Sequence, residues 1–113
     1  MRTGIFVGTF DPFTIGHASI VRRVLPLFDR LVIGIGTNER KKCMLDAEER
    51  VRRIKRLYAD NPKIEVKAYS DLTIDFARRE QATYIIKGVR SVKDFEYERE
   101  QADVNRLLSG VET

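Results

Sequence analysis

Apolar residues in this chain fall into two alternating kinds of run. Gly4–Val7 (Gly-Ile-Phe-Val), Arg30–Ile35 (Arg-Leu-Val-Ile-Gly-Ile) and Thr83–Ile86 (Thr-Tyr-Ile-Ile) are short and bounded by glycine or polar residues. That is the pattern of strands buried on both faces. Ile64–Ala68 (Ile-Glu-Val-Lys-Ala) alternates apolar and polar, which predicts a strand with one wetter face, at a sheet edge. Between the strands the period changes. Ile20, Val21, Val24, Leu25 and Phe28 recur at three- and four-residue spacing after Gly16 and predict a helix. Asp46 with Glu49 forms an N-cap and capping-box signature ahead of Val51, Ile54, Leu57 and Tyr58, and Asn61-Pro62 closes that second helix. A short helix is expected over Leu72–Arg79, carrying Leu72, Phe76 and Ala77, and a longer one over Val92–Leu108.

The resulting order is β-α-β-α-β-α-β-α, with no internal repeat or low-complexity linker. Regular alternation with short loops implies parallel strands joined by right-handed crossovers, hence an α/β fold: a Rossmann-like parallel sheet with helices on both faces. Ligands of such sheets bind beyond the carboxyl ends of the strands, where strand order reverses. Functional residues are therefore expected in the loops at 8–17, 36–44, 69–74 and 87–94.

Composition narrows the picture only slightly. A chain of 113 residues with 42% hydrophobic and 34% charged residues suits one globular domain. A net charge of +4 fits a nucleic-acid surface and equally a pocket for a phosphorylated small molecule. Charges of both signs alternate along Asp46–Arg53 and Phe95–Glu100, as on solvated helix faces. Aromatic and basic residues are not interleaved as on a single-strand binding surface, so no nucleic-acid partner is expected. The longest apolar runs, such as Leu31–Ile35, are too short to cross a bilayer, and the chain opens directly on a strand pattern without a leader. No membrane partner and a cytoplasmic location are the expectations. The single cysteine, Cys43, excludes an internal disulfide and reads as a tolerated thiol.

The first loop, Gly8-Thr-Phe-Asp-Pro-Phe-Thr-Ile-Gly-His17, carries most of the chemistry. Gly8 lacks a Cβ and would let a ligand approach the main chain. The helix start after it presents unpaired N–H groups and a positive dipole end, a seat for phosphate. Thr14 and His17 lie three residues apart, so both could face that seat, and His17 is the only histidine. A histidine in this place could also merely cap the helix. The glycine spacing matches neither the Gly-x-Gly-x-x-Gly fingerprint nor a Walker loop.

Gly8-Thr9-Phe10-Asp11-Pro12 with Thr14-Ile-Gly-His17 resembles the signature of the (T/H)xGH nucleotidyltransferase superfamily. Threonine in place of its first histidine points to the phosphopantetheine branch. Lys41-Lys42, Glu48-Glu-Arg50-Val, Ser70-Asp-Leu72 with Asp75-Phe-Ala77, and Lys87-Gly-Val-Arg90 with Asp94-Phe-Glu-Tyr-Glu98 and Asn105-Arg106 resemble that branch in order and spacing, over essentially the whole chain. The resemblance implies adenylyl transfer from ATP to 4′-phosphopantetheine, giving dephospho-coenzyme A and pyrophosphate in coenzyme A biosynthesis. It implies catalytic roles for His17 and Lys41. It places Thr9, Phe10, His17, Gly88, Arg90 and Glu98 at ATP, and Thr9, Lys41, Leu72, Thr73, Lys87 and Asn105 at the phosphopantetheine. Mg²⁺ would arrive with ATP, held by phosphate oxygens and water rather than by protein ligands. A homo-hexamer and coenzyme A as a feedback ligand are further implications. Related enzymes with another phosphorylated acceptor, such as nicotinamide mononucleotide or glycerol 3-phosphate, and a ligand-binding form without turnover are the alternatives.

The sequence departs from the branch in three places. Val7 stands where proline is common. Lys87 replaces a usual arginine, keeping the charge but losing the planar fork that orients a phosphate. The resemblance also implies a fifth strand and an Ile-Ser-Ser-Ser/Thr-x-x-Arg segment holding the triphosphate, whereas the sequence stops at Gly110-Val-Glu-Thr113. The expectation is one nucleotidyltransferase domain over residues 1–113, incomplete at its carboxyl end.

Overall fold

The computed structural model describes residues 2–10, 12–37 and 46–88. Four parallel strands run β1 (Thr3–Gly8), β2 (Arg30–Gly36), β3 (Ile64–Tyr69) and β4 (Tyr84–Ile86), in the spatial order β3-β2-β1-β4. Ile5 lies level with Val32 and Ile85, and Phe6 with Ile33 and Ile86. Because side chains alternate along a strand, this register sorts them onto two faces. Phe6, Leu31, Ile33, Ile35, Ile64 and Val66 pack against Val21 of α1 (Ile15–Val24) and Ile54 of α2 (Ala47–Leu57). Ile5, Val7, Val32 and Ile85 pack against Ile74, Phe76 and Ala77 of α3 (Thr73–Arg79). The expected Rossmann-like layering, with helices on both faces, is therefore present.

Several boundaries differ from the sequence pattern for identifiable reasons. Pro26 turns the end of α1 into one 3₁₀ turn, Leu25–Leu27, so Phe28 reaches the core from extended backbone. α2 ends at Leu57, earlier than Asn61-Pro62, and Leu57 is exposed. Asn61 instead shapes the turn into β3 by accepting the Lys63 N–H on its side chain. Only half of the anticipated capping box forms on α2. Asp46 accepts the Glu49 N–H at 2.7 Å, while the Glu49 carboxylate pairs with Arg52 and Arg53. The wetter strand, β3, lies at an edge of the four-stranded sheet. The helix expected over Val92–Leu108 lies outside the described residues.

Gly34 shows how closely α3 sits on the sheet. A Cβ there would come within 2.5 Å of the Phe76 ring, which stacks on Tyr69 at 4.3 Å with an interplanar angle of 4°. At the amino ends of the strands, Arg30 binds Glu65 and Glu80, and Lys67 also reaches Glu80. Arg30 further donates to the Glu80 carbonyl at 2.9 Å, which ties the end of α3 to the start of β2. The connections run from β1 toward β2 on one side and reach β4 on the other, so the order reverses between β1 and β4. The loop after β1 sits at that reversal, where an open α/β sheet takes its ligand.

Candidate active site at the carboxyl end of strand β1

The chain leaves β1 at Gly8 and turns sharply. Phe10 has φ 51°, a left-handed conformation that a bulky L-residue rarely adopts. This turn swings its ring back into the core, where it is 4% exposed and meets Phe6 edge-on at 5.1 Å. A Cβ on Gly8 would lie 3.2 Å from that ring. The glycine thus makes room for Phe10. The Phe10 ring is core, so only its main chain is available to face a nucleotide.

The start of α1 is built by a reciprocal cap. Thr14 Oγ1 accepts the His17 N–H at 3.3 Å, and His17 Nδ1 accepts the Thr14 N–H at 2.8 Å. Thr14 and His17 therefore face each other at the start of α1. The cap also has a chemical consequence. A ring nitrogen that accepts an N–H carries no proton, so in the neutral ring Nε2 is the donor. Phe10 and Phe13 hold the half-buried imidazole at centroid distances of 4.9 and 5.2 Å. Capping and function are compatible here, because the cap consumes Nδ1 and sets the proton on Nε2.

Behind the turn lies a residue that the charge pattern concealed. Arg50, on the first turns of α2, is 4% exposed. Its guanidinium donates to the Thr9 carbonyl at 2.8 Å and to the Asp46 carbonyl at 3.4 Å. Among the described residues it forms no ion pair. A cavity of about 220 Å³ beside it, lined by Phe10, Phe13, Arg53 and Ile54 among others, is smaller than usual small-molecule sites. The spacing of Arg50 four residues before Ile54 puts both on one helix face, the one signal that could have marked it.

The remaining predicted residues occupy neighbouring loops. Lys87 and Gly88 follow β4 directly, and a Cβ on Gly88 would touch the Ile20 side chain at 3.0 Å, so this loop lies against α1. Leu72 and Thr73 open α3 beyond β3. Leu72 is 65% exposed, which removes core packing as its explanation. Thr73 Oγ1 hydrogen-bonds the Tyr69 hydroxyl at 3.0 Å, and Thr37 bonds the Tyr69 carbonyl through both its N–H and its hydroxyl. Thr37 and Tyr69 were not singled out from the sequence, since neither residue type carries a distinctive pattern. Lys41, Arg90, Glu98 and Asn105 lie outside the described residues, as does Cys43. Among the described residues no three His, Cys, Asp or Glu side chains cluster as metal ligands, and no helix is long and apolar enough to cross a membrane.

A parallel sheet whose first loop and helix start lie at the topological switch defines a class, the Rossmann-like α/β proteins, which take their ligands at that place. The family described as cytidylyltransferase-like matches residues 5–113. The phosphopantetheine adenylyltransferases of Phocaeicola vulgatus and Bacteroides fragilis are 57% and 56% identical to the whole of this chain, which covers 75% of each. That of Moorella thermoacetica is 44% identical, with 71% of it covered. The chain belongs to the phosphopantetheine adenylyltransferases, within the cytidylyltransferase-like family. Among solved structures, a lipopolysaccharide core biosynthesis protein from Thermoplasma volcanium superposes with a TM-score of 0.72 at 19% identity, over 99% of this chain and 93% of that one. A bifunctional NMN adenylyltransferase/ADP ribose pyrophosphatase from Francisella tularensis gives 0.61 at 15%, over 90% and 42%. At these identities the likeness concerns the fold.

Proposed function

We propose that this chain moves the adenylyl group of ATP onto the phosphate of 4′-phosphopantetheine, forming dephospho-coenzyme A and pyrophosphate in coenzyme A biosynthesis. A single observation carries the reading at the level of chemistry: the sole histidine is capped through Nδ1, with Nε2 as donor, at the topological switch of a chain with these relatives. An oxygen of the acceptor phosphate attacks the α-phosphorus, and the bond to the bridging oxygen of pyrophosphate breaks. No protein nucleophile is needed, so catalysis consists of aligning two polyanions and stabilising the charge that develops.

In this reading His17 Nε2–H donates to a non-bridging oxygen of the α-phosphate. Thr9, the main chain of Phe10, and Gly88 face ATP, joined by Arg90 and Glu98. Lys41 bridges the acceptor phosphate and the reacting centre. Lys87 binds the acceptor phosphate as a point charge, while Leu72, Thr73 and Asn105 line the pantetheine arm. Magnesium arrives as Mg–ATP, its charge offset by the phosphates. A homo-hexamer in the cytoplasm, with coenzyme A as a feedback ligand, completes the proposal, and light scattering tests the assembly.

His17→Ala is expected to lower turnover by about a hundredfold or more while changing the Kd for ATP less than about threefold, since the contact strengthens in the transition state. Equal losses in both quantities would remove His17 from the chemistry. Tighter equilibrium binding of phosphopantetheine than of nicotinamide mononucleotide or glycerol 3-phosphate is expected, and absence of that preference would remove the acceptor assignment.

A further inference from the structure

We infer that Arg50 is a positioning residue for the nucleotide phosphates, pinning the turn after β1 from behind and supplying a buried positive charge that the incoming polyanion answers. The inference rests on the functional reading above and extends it to a residue that touches no substrate.

Three observations support it. Arg50 is 4% exposed. Among the described residues both of its hydrogen bonds go to main-chain carbonyls, those of Thr9 and Asp46. It forms no ion pair among the described residues, and the described lining of the adjacent cavity (Phe10, Pro12, Phe13, Arg53, Ile54 and Leu57) contains no carboxylate. Among the described residues this buried charge has no counter-charge, an unfavourable arrangement, and an anion arriving nearby would relieve it.

The peptide geometry says how the effect would reach the ligand. Arg50 approaches the Thr9 carbonyl from the side of α2. In a trans peptide the C=O and N–H point in opposite directions, so the Phe10 N–H of the same unit faces away from Arg50. Hydrogen bonds in series polarise one another, and a guanidinium on the carbonyl makes that N–H a stronger donor. The same bond holds the turn that keeps Phe10 at φ 51°, and the Phe10 ring in turn packs edge-on to His17.

The test uses the 113-residue chain and three probes: Mg–ATP, inorganic triphosphate and adenosine. Arg50→Met keeps the volume and removes the charge, whereas Arg50→Lys keeps the charge and loses the fork. Arg50→Met should raise the Kd for ATP and for triphosphate about tenfold, and Arg50→Lys about threefold, with adenosine changed less than about twofold. A merely structural role would weaken all three probes in proportion, and that result would overturn the inference, as would an unchanged triphosphate Kd in Arg50→Met. Should Arg50→Met fail to fold, the lysine variant decides, and wild-type affinity there overturns the inference. A wild-type chain that binds neither ATP nor triphosphate sinks the functional reading and this inference together, while unchanged binding in the variants sinks the inference alone.

Discussion

The two ends of the sheet each hold an arginine, one partly and one almost fully buried, and surround it differently. At the amino ends of the strands, Arg30 meets the carboxylates of Glu65 and Glu80, and Lys67 adds a second cation to Glu80. The Glu65 hydrogen bond leads in holding the Arg30 guanidinium above its usual pKa, against the opposing effect of burial. Burial pushes the Glu80 carboxyl up, but hydrogen bonds from Lys67 and Arg30 reverse this and leave it below the ordinary carboxylate value. At the carboxyl ends, Arg50 has two carbonyl oxygens and no described carboxylate. One end is satisfied within the fold. Among the described residues the other end leaves its positive charge without a carboxylate. In an open α/β sheet that contrast separates the end that secures the layers from the end that takes the ligand.

The strongest way to break the comparison is Glu80→Gln. Glu80 is nearly buried while its partners are partly exposed, and removing its charge takes one partner from Arg30 and the nearest one from Lys67, so it should lower the unfolding free energy by about 2 to 3 kcal/mol in urea titrations near neutral pH. ATP affinity should not change. The sign of the pH dependence follows from the lowered folded pKa. The stabilisation from Glu80 is fully present above the unfolded carboxylate pKa and is lost as pH falls through the depressed folded value. Wild type and Glu80→Gln should therefore converge in stability in acid. If Glu80→Gln impaired ATP binding as strongly as Arg50→Met, the division of labour between the two ends would disappear.

A smaller effect is expected midway along the sheet. Gly34→Ala would set a methyl 2.5 Å from the Phe76 ring, and overpacking of this kind destabilises by about 2 kcal/mol. Thermal unfolding checks it. Because Phe76 stacks on Tyr69, whose hydroxyl bonds Thr73, this variant sharpens the comparison further. It should disturb the acceptor side while leaving triphosphate affinity intact.

The strands, the three described helices and the position of the first loop could all be read from the chain, because apolar periodicity and glycine placement follow directly from backbone geometry. The place of His17, at a helix start just beyond a strand, was readable for the same reason. What could not be read was how side chains close on one another. Thr14 and His17 form one reciprocal cap, an alternative that the three-residue spacing left open. Phe10 turns its ring inward through a positive φ, which its residue type does not announce. Arg50 sat within Asp-Ala-Glu-Glu-Arg-Val-Arg-Arg, whose mixed charges suggest a wet face, and only its register with Ile54 sets it apart. These are tertiary facts. Local propensity carries no trace of a carbonyl forty-one residues upstream that accepts a buried guanidinium.

The account depends most on which nitrogen of the sole histidine carries the proton and what that nitrogen meets. Two-bond proton–nitrogen NMR spectra of the imidazole, free and titrated with Mg–ATP, test this directly, since only one histidine contributes signals. The prediction is an Nε2-protonated ring without ligand, whose Nε2 resonance shifts in step with nucleotide binding while Nδ1 remains an acceptor. A ring protonated on Nδ1, or an Nε2 resonance unmoved at saturating ATP, would contradict it.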